Sequence, residues 1–248
     1  MKKILFAAMA LGMCMTSCMN EEFPNAVQYG YINLNVSNDP TLQTRAVENV
    51  EDLSKWVIEA KNASETFTLT TGTTKVKKGT YVVSAKSHDS EDAALLDNNN
   101  WGAAYYEGSV SNIVVNPGIT ATAEVKCNTA KNARLKVQFS LVDNFTDYSL
   151  TATDRNLTFD SSNYKTALAY YGAEDVVEYS LTYKYNGKEV EKPITGTITM
   201  KGAATENIIS IASNDNGNLT VSVSYDNAFG EGNKNDFTFD AATGEIQQ

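Results

Sequence analysis

The chain is written in short runs in which apolar and polar residues alternate, and this period of two most narrows what it can fold into. Leu135, Val137, Phe139 and Leu141 alternate with Lys136, Gln138 and Ser140, and Ile32, Leu34 and Val36 alternate with Asn33, Asn35 and Ser37. Successive side chains on an extended chain point to opposite sides, so each run is a strand with one face in a core and one in water. Trp56, Ile58 and Ala60 share a face, as do Phe67 and Leu69. Further strands are read at Gly79 to Ala85, Asn112 to Val115 and Ile119 to Cys127, the first of them after a basic turn at Lys77-Lys78. Between the runs stand turn residues: Asn38-Asp39-Pro40-Thr41, Pro117-Gly118 and Asn214 to Asn218. Asn186-Gly187 supplies the two positive φ angles of a type I′ turn, so Val176 to Tyr185 and Glu189 to Met200 are expected to form a hairpin. Pro193 points to an edge strand or a bulge in its second arm. Ile208 to Ile211 should pair with Leu219 to Tyr225, and Phe237 and Phe239 mark the last strand. Ser87 to Trp101 reads as one long polar loop. Nothing in the first half asks for a helix longer than a turn or two.

Asn128 to Asn132 lacks large apolar residues and is the expected boundary between two halves. The fold class expected is all-β, two antiparallel β-sandwich domains in tandem, at 29–127 and 128–248. With 248 residues, 42% of them hydrophobic, the chain has enough apolar material for real cores. Its 20 basic and 30 acidic residues give −10, a surface that repels phosphate backbones and argues against nucleic acid as a partner.

The first residues follow another pattern. Lys2 and Lys3 precede an uncharged apolar run from Ile4 to about Met15, followed by small residues, which is the order of a secretory signal. The run is shorter than the roughly 20 apolar residues of a membrane-crossing helix. Thr16-Ser17-Cys18 resembles the lipobox of bacterial lipoproteins, whereas Cys14 follows the bulkier Met13. Met15 stands where the family more often has Leu. The resemblance implies a lipoprotein signal peptide at 1–17, acyl chains such as palmitate on Cys18, and a tether at 18–28. Each buried methylene of such chains adds about 0.8 kcal/mol of membrane affinity. Glu21 and Glu22 resemble the acidic signal that sends Bacteroides-type lipoproteins to the outer face of the outer membrane, so the implied partner is that membrane. Loss of Lys2 and Lys3 would leave 18 basic against 30 acidic residues, or −12. With Cys14 removed and Cys18 acylated, Cys127 has no disulfide partner.

Three blocks carry a second resemblance: Gly79-Thr80-Tyr81-Val82-Val83, Tyr105-Tyr106-Glu107-Gly108-Ser109, and Val125-Lys126-Cys127-Asn128 before Ala133-Arg134-Leu135-Lys136-Val137. They look like the conserved blocks of a Bacteroides lipoprotein family of unknown function, itself similar to fimbrillin-like lipoproteins with two β-sandwich domains. In fimbrillins a trypsin-like protease cuts after a basic residue in the first loop, and a strand from the next subunit fills the groove left by the first strand. For this chain the resemblance implies Arg45 and Ala46 as the cleavage site, Tyr29 to Val36 as the removable strand, and other fimbrial subunits as partners. The other reading of Arg45 is a solvated loop residue.

Chemistry-bearing residues are sparse. His88, the only histidine, sits in Ser87-His88-Asp89-Ser90, where neighbours point apart and form no triad. His88, Asp89, Glu91 and Asp92 match no zinc or EF-hand spacing, so no metal and no cofactor are expected. Cys127 reads as a small buried hydrophobe. Trp101 after an Asn-rich stretch, with Tyr105 and Tyr106, suggests either a surface for host or dietary glycan or plain packing at the sandwich edge. The leading expectation is a non-enzymatic, lipid-anchored fimbrillin-like subunit, and the alternative is a monomeric surface glycan-binding lipoprotein. A hydrolase lacks any assignable set, although carboxylates alone would serve a glycosidase.

Overall fold

The computed structural model describes residues 28–37, 53–214, 217–227, 230–231 and 235–245. The first seven strands are β1 (Tyr29–Ser37), β2 (Val57–Lys61), β3 (Thr66–Thr68), β4 (Gly72–Lys77), β5 (Gly79–Lys86), β6 (Glu107–Val115) and β7 (Thr120–Lys126). They make a three-stranded sheet, β4-β1-β7, facing a four-stranded sheet, β3-β2-β5-β6. The alternation decides what lies between them. Ile32, Leu34, Val76, Ala123 and Val125 come from one sheet and Ile58, Ala60, Tyr81, Val83 and Ala85 from the other, all buried in one cluster.

The next strands build a second pair of sheets. β8 (Ala133–Ser140), β11 (Ala169–Tyr171), β15 (Glu206–Ser213), β16 (Asn218–Asn227), β17 (Gly230–Glu231) and β18 (Asn235–Asp240) form one. β9 (Phe145–Ala152), β10 (Leu157–Asp160), β12 (Val176–Tyr185), β13 (Lys188–Glu189) and β14 (Ile194–Thr199) form the other. Leu135, Val137, Ile209 and Val221 meet Leu150, Phe159, Val177, Leu181 and Ile198 between them. The all-β sandwich expectation therefore holds, and most ladders are antiparallel.

Several pairings read in the sequence are present. β12 turns back at Asn186 and Gly187, with φ of 52° and 78°, and Pro193 interrupts the returning arm between β13 and β14. β15 pairs antiparallel with β16, and Phe237 and Phe239 lie on β18.

Three features differ from the sequence reading. First, β1 runs parallel to β7, and β8 runs parallel to β15. Alternation reports which face is buried but not which way the neighbouring strand runs. Second, Gly72–Lys77 is a full strand, β4; only its end reads as a turn, because its threonines hide the single buried apolar residue, Val76. Third, the stretch from Ser87 to Trp101 is not all loop. It contains helix α1 (Glu91–Leu95), capped by the Ser90 side chain, which accepts a hydrogen bond from Ala93 N. Ser90 followed by two acidic residues is the usual start signal of a helix.

The two clusters meet at a polar seam. Asn132 is 1% exposed. Its Nδ2 donates to Ala103 O at 2.8 Å and its Oδ1 accepts from Tyr105 N at 3.0 Å. Arg155 Nη1 reaches across to the carbonyls of Leu95 and Tyr170, at 3.2 and 2.8 Å. Asn132→Ala would strand a buried N–H and a buried C=O, so it is expected to lower stability by about 2 kcal/mol, read as a lower midpoint in urea denaturation.

Candidate functional site: the first strand and its groove

β1 is the middle strand of its sheet. On one side it pairs antiparallel with β4, Tyr31 opposite Lys75 and Asn33 opposite Thr73; on the other it pairs parallel with β7, Tyr31 beside Thr120 and Ser37 beside Lys126. Further backbone bonds fasten its ends: Lys78 N to Gln28 O at 2.7 Å, Gly118 N to Tyr29 O at 2.9 Å, and Cys127 N to Ser37 O at 3.0 Å. Ile32 is fully buried and Leu34 is nearly so.

Gly30 shows how closely the strand is seated. A Cβ there would lie 2.2 Å from Asn116 O and 2.6 Å from Val115 Cγ1, so only glycine fits against the β6–β7 turn. A glycine inside an alternating run was the available sequence signal for this contact. On the outer face Tyr29 and Tyr31 are exposed, and Lys75 Nζ lies 4.6 Å from the centroid of the Tyr29 ring.

The walls of this groove are tied elsewhere. β4 passes into β5 through Lys78 alone, and β7 continues from β6 through the turn at Pro117 and Gly118. Removing β1 would leave β4 and β7 separated by about two strand spacings, roughly 10 Å, each with an unpaired edge. The apolar slot would lose Ile32 and Leu34, whose burial stabilises by about 1.5–3 kcal/mol each.

The aromatic residues considered for sugar binding are placed differently from that reading. Tyr106 is 2% exposed and stacks on Trp56, with ring centroids 6.4 Å apart. Tyr105 is 5% exposed; burial and the hydrogen bond from its hydroxyl to Glu107 Oε2, 2.9 Å, push its pKa up to about 12. Neither ring offers a face to a ligand, so Tyr105 and Tyr106 are withdrawn as glycan contacts. Trp101 is half-buried, edge-on to Phe159 at 5.0 Å, in the second cluster.

The remaining reactive groups are structurally engaged. Ser87 Oγ lies 3.0 Å from His88 Nδ1, and His88 Nε2 lies 3.4 Å from Asp97 Oδ2, a serine-histidine-aspartate line that the sequence reading did not foresee. Ser87 Oγ also accepts the Tyr106 N–H at 2.9 Å, which fixes the hydroxyl to the chain closing the strand end. The Asp97 carboxyl is held below its ordinary range, first by the Asn98 N–H and then by His88. Burial pushes the Cys127 thiol up to about 11, so it is protonated at neutral pH and packs instead of reacting. Among the described residues no group of three His, Cys, Asp or Glu side chains could hold a metal ion. Cys18, Arg45 and Ala46 lie outside the described residues.

A family model described as a domain of unknown function, DUF4493, matches residues 28–241. No curated protein matches the chain by sequence. Among solved structures, the chain is similar to a fimbrial assembly protein from Parabacteroides distasonis ATCC 8503. The two share 9% identity at a TM-score of 0.43, over 81% of this chain and 96% of that one. It is also similar to a provisionally named cell adhesion protein from Bacteroides fragilis NCTC 9343, with 12% identity, a TM-score of 0.32, and 81% and 95% coverage. A pilus adhesin from Lactobacillus rhamnosus GG matches at 11% identity and a TM-score of 0.28, over 75% of this chain and 30% of that one.

Ile32→Ala removes buried methylenes from the centre of the slot and is expected to cost about 2–5 kcal/mol. Tyr31→Ser, on the outer face, should cost far less; urea denaturation of the two variants checks the difference.

Proposed function

The chain belongs to the family described as domain of unknown function DUF4493, and we propose that it is a lipid-anchored structural or adhesive subunit of a surface filament, joined to its neighbours by exchange of the first strand. The observation that carries this reading is the position of β1, first among the described strands yet central in its sheet, with β4 on one side and β7 on the other. Once the chain is cut between β1 and β2, β1 can leave without changing the order of the strands that follow it. The gap it leaves offers unpaired N–H and C=O groups together with an apolar slot, and an incoming strand meets both needs.

Arg45 and Ala46 fall in sequence between the end of β1 at Ser37 and the start of β2 at Val57. Hydrolysis there would separate β1 from the rest of the chain covalently, leaving it held by its ladders and by Ile32 and Leu34. The thioether lipid on Cys18 would hold the uncut protein at the outer membrane until that cut. In this reading residues 29–127 form the module that donates and receives strands, and residues 128–248 form a second module carried with it.

Limited trypsin treatment of the mature protein is expected to cut between Arg45 and Ala46 and to yield laddered oligomers on a denaturing gel without boiling. Arg45→Gln should remain uncut and monomeric; cut protein that stays monomeric overturns strand exchange. In the native host, Cys18→Ala should move the protein from the membrane fraction to the soluble fraction.

A further inference from the structure

A cleft of about 500 Å³ lies where the two apolar clusters approach each other, with Asn98, Asn99, Trp101, Asn163, Thr166 and Tyr170 on its walls. Its volume falls within the range of about 300–1,000 Å³ usual for small-ligand sites, and such sites favour the meeting place of two packed units.

One wall has an uncommon backbone. Asn98, Asn99 and Asn100 follow one another with φ of 49°, 56° and 70°, three left-handed residues in succession and none of them glycine. L-residues visit this conformation singly, at about 1–2 kcal/mol each, and a run of them persists only where its surroundings impose it. Here they do. Asp97 Oδ1 accepts the Asn98 N–H at 2.8 Å, and Gly102 N donates back to Asp97 O at 2.9 Å. Tyr170 N donates to Trp101 O at 2.7 Å, which fastens the turn to β11. The conformation leaves Asn98 and Asn99 exposed, and among the described residues their side chains make no hydrogen bond within the protein.

The chemistry of the walls selects a ligand class. In a chain of net charge −10, no carboxylate, ammonium or guanidinium lines this cleft. The Asn163 amide is engaged by Asp160 N and Thr158 O, and the Thr166 hydroxyl donates to Asn163 O. The groups turned to a ligand are therefore the Asn98 and Asn99 amides, each able to donate and accept, beside a half-buried indole and the apolar Ala167 and Leu168. We propose that the cleft beneath the left-handed Asn98–Asn100 turn binds a neutral carbohydrate, with Asn98 and Asn99 hydrogen-bonding sugar hydroxyls and Trp101 packing against the apolar side of a ring. A charged ligand would find no counter-ion, and a purely apolar one would strand the amides. This site is separate from the β1 groove and does not depend on strand exchange.

The test is affinity gel electrophoresis of the full mature chain in yeast mannan, dextran and xyloglucan, with heparin as an anionic probe. At least one neutral polysaccharide is expected to retard the protein, and heparin is not. The double variant N98G/N99G keeps the backbone, since glycine adopts positive φ freely, but removes both amides; it should bind about ten-fold more weakly while melting no earlier than the parent. Trp101→Phe, which keeps an aromatic ring at the seam, should weaken retardation as well. Retardation by none of the three neutral polysaccharides, retardation by heparin alone, or unchanged binding by N98G/N99G overturns the proposal.

Discussion

The parallel ladder between β1 and β7 is the constraint on which the first half of the molecule depends. It joins the first strand of that half to the last, so every residue from β2 to β6 lies inside the crossover that a parallel pairing requires. The three-stranded sheet exists only when β1 is in place, because β4 and β7 each pair with β1 and not with each other. Ile32 and Leu34 thus fill the core and also hold two otherwise unconnected strands in one sheet.

The same device recurs in the second half, where β8 runs parallel to β15, but the two ladders are fastened differently. On β8–β15, Arg134 stands beside Glu206 in register, and its Nε donates to Glu206 Oε2 at 2.7 Å. Lys136 Nζ lies 3.6 Å from the other carboxylate oxygen, and Asn207, fully buried, accepts the Lys201 N–H at 2.8 Å through its Oδ1. A slip of register along this ladder would part the pair and leave an uncompensated, largely buried charge, which is costly. Along β1–β7 the outward neighbours are Tyr31 with Thr120, Asn33 with Thr122, and Asn35 with Glu124, and among the described residues no ion pair joins the two strands. The first strand is held by backbone bonds and burial, interactions that another alternating strand can supply provided it carries a glycine where Gly30 meets the β6–β7 turn. The ladder of the second half is keyed by particular side chains.

Between these sheets the aromatic residues serve as mortar. Trp101, carried on the chain of the first half, packs on Phe159 in the second cluster, while Leu168 and Tyr170, from the second half, pack into the first. Asn132 and Arg155 satisfy the carbonyls and amides that this crossing buries. That seam also sets the walls of the cleft beside the Asn turn, so the packing of two clusters and the shape of a surface site share a cause.

Most strand positions, buried faces and tight turns were legible in the sequence, because they depend on near neighbours: Ile32 and Leu34 alternate with asparagines, and Asn186-Gly187 turns the chain back, whereas the threonines of β4 hid that strand. Cys127 read correctly as a packed thiol, since it closes the alternating run from Ile119 and no base in the sequence could be assigned to it. The roles of Trp101, Tyr105 and Tyr106 were not legible. All three are large aromatics near an Asn-rich stretch, and how deeply each is buried depends on what arrives from Trp56, Phe159 and Asn132, far away in the chain. The left-handed turn at Asn98 to Asn100 likewise follows from contacts with β11 and not from the asparagines alone. Residues close together in the chain settle that it makes strands, which face of most of them is apolar, and where most of them turn, since those properties are set within a few residues. That β1 lies between β4 and β7 and runs parallel to the latter emerges only in the folded molecule, because strand order and direction are chosen by burial between segments distant in sequence.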